Sequence, residues 1–287
     1  MTKQHMTIVE LERKAYALRE DLIKMLETAG SGHSAGPLGL AELVGTLYFD
    51  VMKYDPKNPD WDQRDYFFLS NGHCVPIQYV TMAHAGFFDK EELKTLRKFG
   101  SRLQGHPERT KLPGLENTSG PLGSGLSQAA GVAYTLQYID KNPKRFVYVV
   151  TGDGELNEGN IWEAAMFAGK YKLSQLVVFI DRNNIQIDGP TDEVMPLEDL
   201  HGKWESFGWH VQEIDGHNVE SIRDAASMAR AITDKPSAII THTIPGKGVD
   251  FMEYDFHYHG YFLNKDDGKR ALNKLRTLDG KIKGEHE

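Results

Sequence analysis

The sequence predicts an α/β fold, a doubly wound and mostly parallel sheet with helices on both faces. Three observations carry that expectation. Strand-length runs at 146–150, 176–180, 209–214 and 238–241 are separated by helical segments, the alternation that βαβ units produce. The strands are nearly all apolar, as they must be when both faces are covered. No composition break, low-complexity linker or fixed-period repeat divides the 287 residues. A single domain is therefore expected over 1–287, with 265–287 a charged helical tail.

Each element follows in order. Leu11, Ala15, Leu18, Leu22 and Met25 recur at steps of four and three, so 7–29 is a helix with one apolar stripe, stopped by Gly30. A glycine-dense loop, 30–37, leads to a second helix at 38–52. A polar connection, 54–65, precedes a short buried strand at Phe67-Phe68-Leu69, which ends in Ser70-Asn71-Gly72-His73. Asp89 is placed to cap a helix running to about residue 99, with Glu92 completing a capping box. The stretch 101–119 is long and irregular, a kind of loop that is usually functional inside a compact domain. Gly120-Pro121-Leu122-Gly123 opens a small-residue helix at 126–139. Strands at 146–150, 176–180, 209–214 and 238–241 then alternate with helices at 162–171, 197–207 and 222–232. Pro245-Gly246-Lys247-Gly248 leads into a segment rich in aromatic residues and histidine, and the tail follows.

Charge and composition exclude several classes. Acidic residues outnumber basic ones 41 to 33, giving a net charge of −8 and no basic stripe for nucleic acid. The longest clearly apolar run, 176–180, is far short of a membrane span, and residues 1–10 lack a basic-then-apolar export signal. The single cysteine, Cys74, leaves no internal disulfide and suits a reducing compartment. A soluble cytoplasmic protein is expected.

In open parallel sheets, ligands bind beyond the carboxyl ends of the strands. The strand at 146–150 is followed by Thr151-Gly152-Asp153-Gly154-Glu155, and that at 176–180 by Asp181-Arg182-Asn183-Asn184-Ile185. One helix joins these strands, so they are expected to be neighbours, and Asp153 and Asn183 to meet at one end of the sheet. A carboxylate, a side-chain amide and a backbone carbonyl are hard oxygen ligands suited to Mg²⁺, with Ca²⁺ or Mn²⁺ as alternatives, and a diphosphate would supply further oxygens. Gly152 and Gly154 would let the backbone approach a phosphate. The alternative reading of Gly-Asp-Gly alone is a turn after a buried strand; the Asn thirty residues on tips the balance to a metal site.

Gly-Asp-Gly followed about thirty residues later by Asn resembles the metal–diphosphate motif of thiamine-diphosphate enzymes. Ser31-Gly32-His33, Leu69-Ser70-Asn71-Gly72-His73, Gly105-His106-Pro107-Glu108, Gly120-Pro121-Leu122-Gly123 and Gly246-Lys247-Gly248 stand in transketolase order and spacing. Over about residues 7–265 the chain resembles the N-terminal, diphosphate-binding part of a transketolase, and within the family the N-terminal subunit of a transketolase split into two polypeptides. The resemblance implies thiamine diphosphate with Mg²⁺, held by Asp153, the Asn183 side chain and the Ile185 carbonyl. It implies that Gly154, His73 and His259 contact the diphosphate, and that Gly120, Pro121 and Leu122 line the cofactor. His33, His106 and His259 would face the ketose, where proton traffic at neutral pH favours imidazoles. His257 lies two residues from His259 and is the other candidate for that role. Lys247 is either a source of positive charge near a phosphate or a loop residue.

Three departures from the family pattern stand out. Ser34 follows His33 where many relatives have proline, Cys74-Val75-Pro76 follows His73, and Asn183-Asn184 replaces a common Asn-Gly. The first two flank the expected substrate pocket.

In the family, the activating Glu and the aminopyrimidine slot come from a separate pyrimidine-binding domain. No second α/β run occurs before Glu287, so the chain is expected to hold half an active site. The partner implied is a C-terminal transketolase subunit, in an α2β2 heterotetramer acting on sugar phosphates, with no nucleic acid and no membrane. The activity implied is transfer of a two-carbon ketol unit from a ketose phosphate to an aldose. Alternatives are a 1-deoxyxylulose-5-phosphate synthase-like enzyme, a 2-oxoacid dehydrogenase component, and a non-catalytic regulatory subunit. The Gly105–Glu108 and Ser119–Gly123 motifs favour transketolase.

Overall fold

The fold, a computed structural model, describes residues 6–142 and 144–277. Helix α1, Ile8–Ala29, begins with a reciprocal cap: Thr7 Oγ1 accepts from the Glu10 N–H, and the Glu10 carboxylate accepts from the Thr7 N–H. Gly30, at φ 60°, ends it in the left-handed conformation that glycine adopts without strain. The expected second helix at 38–52 starts earlier and is broken. It consists of α2, Ala35–Gly39, α3, Ala41–Thr46, and a π turn, Leu47–Val51. A tertiary contact crowds the break, since a Cβ on Gly39 would lie 2.9 Å from the Ile244 carbonyl oxygen.

Strand β1, Tyr66–Leu69, lies where expected. Helix α4, Val75–Ala85, follows the His73 turn and is not legible as a stripe because nearly every residue in it is buried. The helix expected at 89–99 is only a 3₁₀ segment, Lys90–Thr95. Asp89 caps it through the Glu91 N–H at 2.9 Å, and the Glu92 carboxylate receives the Arg102 guanidinium at 2.7 and 2.8 Å. Next come α5, Ser124–Tyr134, with a π turn at Thr135–Ile139, then β2, Val147–Gly152, α6, Gly159–Lys170, and β3, Leu176–Arg182. A two-stranded hairpin of β4, Ile185–Gln186, and β5, Gly189–Pro190, precedes α7, Thr191–Val194. The chain continues through α8, Leu200–Ser206, β6, His210–Asp215, α9, Val219–Ala231, β7, Ser237–His242, and α10, Lys265–Thr277. The last part of the expected tail, 278–287, lies outside the described residues.

The main sheet has the order β1-β2-β3-β7-β6, and every pair is parallel. Its two faces carry two cores. Phe67, Leu69, Tyr148, Val150, Phe179 and Ile239 pack under α1, α3, α4 and α9. Phe68, Val147, Val149, Val178, Ile180 and Ile240 pack under α5, α6 and α8. The doubly wound layering follows directly, because strands buried on both sides need helices on both. The register sets Leu69 opposite Val150, and Gly152 opposite Asp181, so the loops after β1, β2 and β3 emerge side by side. No described helix is long and apolar enough to cross a membrane.

Candidate active site

Beyond those three strand ends lies a cavity of about 280 Å³. His33, His73, His106, His259, Gly120, Leu122, Asp153, Gly154, Asn183 and Ile185 all line it. Pro121, expected beside them, is exposed and not among the lining residues. Lys247 is buried outside it.

Asp153 sits at the β2 terminus with 1% of its surface exposed. Among the described residues, its Oδ1 accepts only from the Gly154 N–H, at 2.7 Å. Its Oδ2 takes the Asn184 N–H at 2.7 Å, Arg182 Nη1 at 3.2 Å and Thr191 Oγ1 at 3.4 Å. Oδ1 is thus the oxygen with capacity to spare. Burial pushes the Asp153 carboxyl up, opposed by the Asn184 N–H and the Arg182 charge. Asn183 Nδ2 donates to Asp181 Oδ2 at 2.8 Å, and Asn183 Oδ1 accepts from the Ile185 N–H at 3.0 Å. That orients the amide oxygen away from Asp181. Asp181 is fully buried, and burial pushes its carboxyl up to about 7, against the hydrogen bond from Thr243 and with the repulsion of Asp153. Asn184 has φ 62°. The glycine common there in relatives is replaced by the side chain that best tolerates this conformation, so this departure leaves the turn intact. No group of three or more His, Cys, Asp or Glu side chains able to hold a metal occurs among the described residues; the expected ligand set contains only one such side chain.

Four imidazoles also line the cavity. Ring centroids are 5.0 Å apart for His33–His73 and for His73–His259, 5.7 Å for His33–His259 and 6.4 Å for His33–His106. The sequence leaves His257 and His259 both open; only His259 joins this group. His257 is exposed, stacked on Phe256 and hydrogen-bonded to Asp255 at 2.7 Å. Burial, reinforced by the neighbouring His259 and Arg97, holds the His33 imidazolium down to about 4. His73 is pushed well below its ordinary value by burial and the other imidazoles, and burial likewise lowers His106 and His259. The cluster is therefore neutral at pH 7. Ser34 explains how the wall is built: its hydroxyl donates to the Tyr258 and Tyr261 carbonyls at 3.2 and 3.1 Å, fastening the His33 loop to the His259 segment. Proline at this position would lack that donor. Cys74 is buried against Gly36, and burial raises its thiol well above the ordinary value.

Sequence reasoning passed over Glu155, Asp181 and the side chain of Asn71, each on the cavity wall. Glu155 braces three loops: it accepts from Ser70 Oγ after β1, from the Gly123 N–H at 2.6 Å and from the Gly152 N–H at 3.0 Å. Gly123 has φ 82°, and a Cβ there would overlap Asn160 Oδ1 at 1.9 Å, so only glycine fits. A carboxylate two residues after Asp153 was the available signal for Glu155. A second cavity, of about 340 Å³, lies beyond Arg182 and is lined by His217, His242 and Tyr254; it contains none of the expected site residues.

The site has the composition a divalent cation and a diphosphate require. Asp153 and Asn183 line a concave surface, glycine backbone lies open at Gly120, and His33 Nδ1, His259 Nδ1 and both polar atoms of Asn71 are buried without partners among the described residues. The residues fit thiamine diphosphate and its metal.

Comparison with known proteins agrees with this geometry. Residues 12–279 match the family model described as transketolase, thiamine diphosphate binding domain. The chain is 42% identical, over 93% of its length and 96% of the relative's, to the 6-deoxy-6-sulfo-D-fructose transketolase subunit SqwG of Clostridium sp. (strain MSTE9). It is 41% identical to an apulose-4-phosphate transketolase subunit of Phocaeicola vulgatus, covering 98% of this chain and 99% of that one. The transketolase of Campylobacter jejuni superimposes with a TM-score of 0.88 at 34% identity, covering 94% of this chain and 43% of the other. The chain thus spans under half of a full-length transketolase and nearly all of the relatives named as subunits. The chain belongs to the transketolase family, as its N-terminal, thiamine diphosphate binding part.

Proposed function

We propose that the chain is one of two polypeptides of a transketolase and transfers a two-carbon ketol unit from a ketose phosphate to an aldose only when joined to a C-terminal subunit. The observation that carries this is the convergence of four neutral imidazoles, within 6.4 Å of His33, on the same cavity as Asp153 and Asn183. Thiamine diphosphate, when bound, supplies the carbon nucleophile that accepts the two-carbon unit. The chain's own residues bind and orient it and move protons. Asp153, Asn183 and the Ile185 carbonyl hold Mg²⁺. Gly154, His73 and His259 hold the diphosphate, and Gly120, Pro121 and Leu122 flank the cofactor. His33, His106 and His259 exchange protons with substrate hydroxyls and the carbonyl oxygen, which neutral, buried imidazoles can do without first losing a proton.

The activating Glu and the aminopyrimidine pocket come from the partner, in an α2β2 assembly with two equivalent sites, acting in the cytoplasm. The names of two relatives put a sulfonated ketose and apulose 4-phosphate beside ordinary ketose phosphates as donors to assay. The test is to mix the purified chain with a C-terminal transketolase subunit, thiamine diphosphate and Mg²⁺, and follow ketol transfer from each donor. Transfer that needs both chains, near one-to-one stoichiometry, is expected. Transfer from none of the donors with a cofactor-loaded complex would overturn the reading.

A further inference from the structure

Asn71 has 1% of its surface exposed, lines the cavity, and makes no hydrogen bond to any described residue through either Oδ1 or Nδ2. An amide offers two N–H donors and two acceptor lone pairs, and leaving all of them buried and unmet is costly. The backbone around it is held by other groups. Gly72 N–H donates to the Ser70 carbonyl at 2.8 Å, closing a tight turn centred on Asn71 at φ −73° and ψ 67°. Ser70 N–H donates to Val150, Ser70 Oγ to Glu155, and Cys74 N–H to the Asn71 carbonyl at 2.8 Å. The Asn71 side chain therefore plays no part in folding the turn that presents it. It lies against Gly152, where an added Cβ would come 3.7 Å from Asn71 Cβ and 3.9 Å from Nδ2, next to the Asp153 loop.

The charges around it determine what it can bind. Asp153, Glu155 and Asp181 line the same cavity. Glu155 has both oxygens occupied by donors, and Asn183 spends one N–H on Asp181 and one oxygen lone pair on the Ile185 N–H, leaving its oxygen a second lone pair for the metal. An oxyanion entering beside these carboxylates needs uncommitted N–H groups, and the Asn71 amide has two. We propose that Asn71 is a binding residue for the diphosphate, donating its amide N–H to a phosphoryl oxygen beside the metal site. The inference rests on the thiamine diphosphate reading above and adds a residue to it.

The test uses the two-subunit complex and the variants Asn71→Leu and Asn71→Ala. Binding of thiamine diphosphate with Mg²⁺ is measured by calorimetry, and inorganic diphosphate with Mg²⁺ is titrated separately as the probe for the anion subsite. Leu has the branched shape of Asn without its polar atoms, so removing the unpaired amide should leave the melting temperature of the free chain unchanged or raise it. The loss of a hydrogen bond to a charged group should weaken both ligands roughly 10- to 100-fold. A structural role predicts the opposite pairing, a lower melting temperature with affinity intact in the folded fraction. If one variant does not fold, the other carries the comparison. Affinity for both ligands within twofold of wild type in a folded variant overturns the inference alone. A wild-type complex that binds neither ligand overturns the function reading and this inference together.

Discussion

Asp153, the proposed metal ligand, has spare acceptor capacity on Oδ1 while Oδ2 is tied to Asn184, Arg182 and Thr191. Asp153→Asn keeps the shape and an acceptor for the Asn184 N–H but loses the charge a divalent cation needs. Mg²⁺-dependent binding of thiamine diphosphate should be abolished with far-UV circular dichroism unchanged; unchanged affinity in calorimetry would remove Asp153 from the metal. In the proposed function, His33 and His106 serve the chemistry rather than cofactor binding. His33→Ala and His106→Ala should each lower kcat ~10²–10⁴-fold while the cofactor Kd moves little. The reverse pattern, full turnover at saturating cofactor, would exchange their roles with that of His73. His33 also has a pH signature. Its folded value, about 4, lies below the unfolded one, so the unfolded state binds more protons between about pH 6.5 and 4. Stability contributed here is present above pH 6.5 and declines as the pH falls through that window. His33→Gln should flatten this part of the melting-temperature profile, and an unaltered slope would mean that the imidazole is not held neutral.

At the scale of elements, the loops that form the imidazole wall rest on a buried network. Arg19 on α1 places its guanidinium on both oxygens of Glu42 on α3, His217 Nδ1 donates to Glu42 Oε2 at 3.0 Å, and the Ile244 N–H donates to His217 Nε2 at 2.8 Å. The chain after β7 is thereby pinned to α1 and α3, and Gly246 N–H reaches on to the Ala35 carbonyl at 2.9 Å. Burial alone would raise the Glu42 carboxyl; the Arg19 charge and the His217 hydrogen bond outweigh it and hold the group at about 2. Its folded value lies below the unfolded one, so this contribution is complete above about pH 4.5 and is lost as the pH falls toward 2. Glu42→Ala leaves Arg19 buried without its carboxylate, and chemical denaturation should show a loss of about 3–5 kcal/mol. A loss under 1 kcal/mol would mean that the network does not hold these elements together.

At the scale of the whole molecule, the chain corresponds to most of a named subunit and under half of a full-length transketolase. Exposed apolar side chains such as Ile187, Met195, Tyr261 and Phe262 are available to a partner. The purified chain with thiamine diphosphate and Mg²⁺ should show negligible ketol transfer, and adding the C-terminal subunit should restore it. Robust transfer by the chain alone, with contaminating partner excluded by mass spectrometry, would refute the shared-site arrangement.

The sequence by itself determined the sheet and the positions of its loops. Short apolar runs alternating with helical segments read as parallel strands, and residues placed immediately after such strands emerge at one end of the sheet; the edge strand β6 is only half-buried and its sequence mixes polar with apolar residues instead. Asp153 and Asn183 were legible for that reason; His33, His73, His106 and His259 were legible only through the transketolase-like motifs that carry them, with His257 left open beside His259. Where burial is complete, periodicity disappears, and so α4 was hidden and the helix after Ser34 was misread as continuous. Only the tertiary structure decided that Gly39 meets the Ile244 carbonyl, that Ser34 ties the His33 loop to the His259 segment, and that His259 rather than His257 turns inward. The same holds for the donors gathered on Glu155 and the unpartnered amide of Asn71. Hydrogen bonds such as those from Ser34 Oγ to the Tyr258 and Tyr261 carbonyls, 224 and 227 positions away, depend on how the layers pack, and no local pattern in the chain encodes which donor will meet which acceptor.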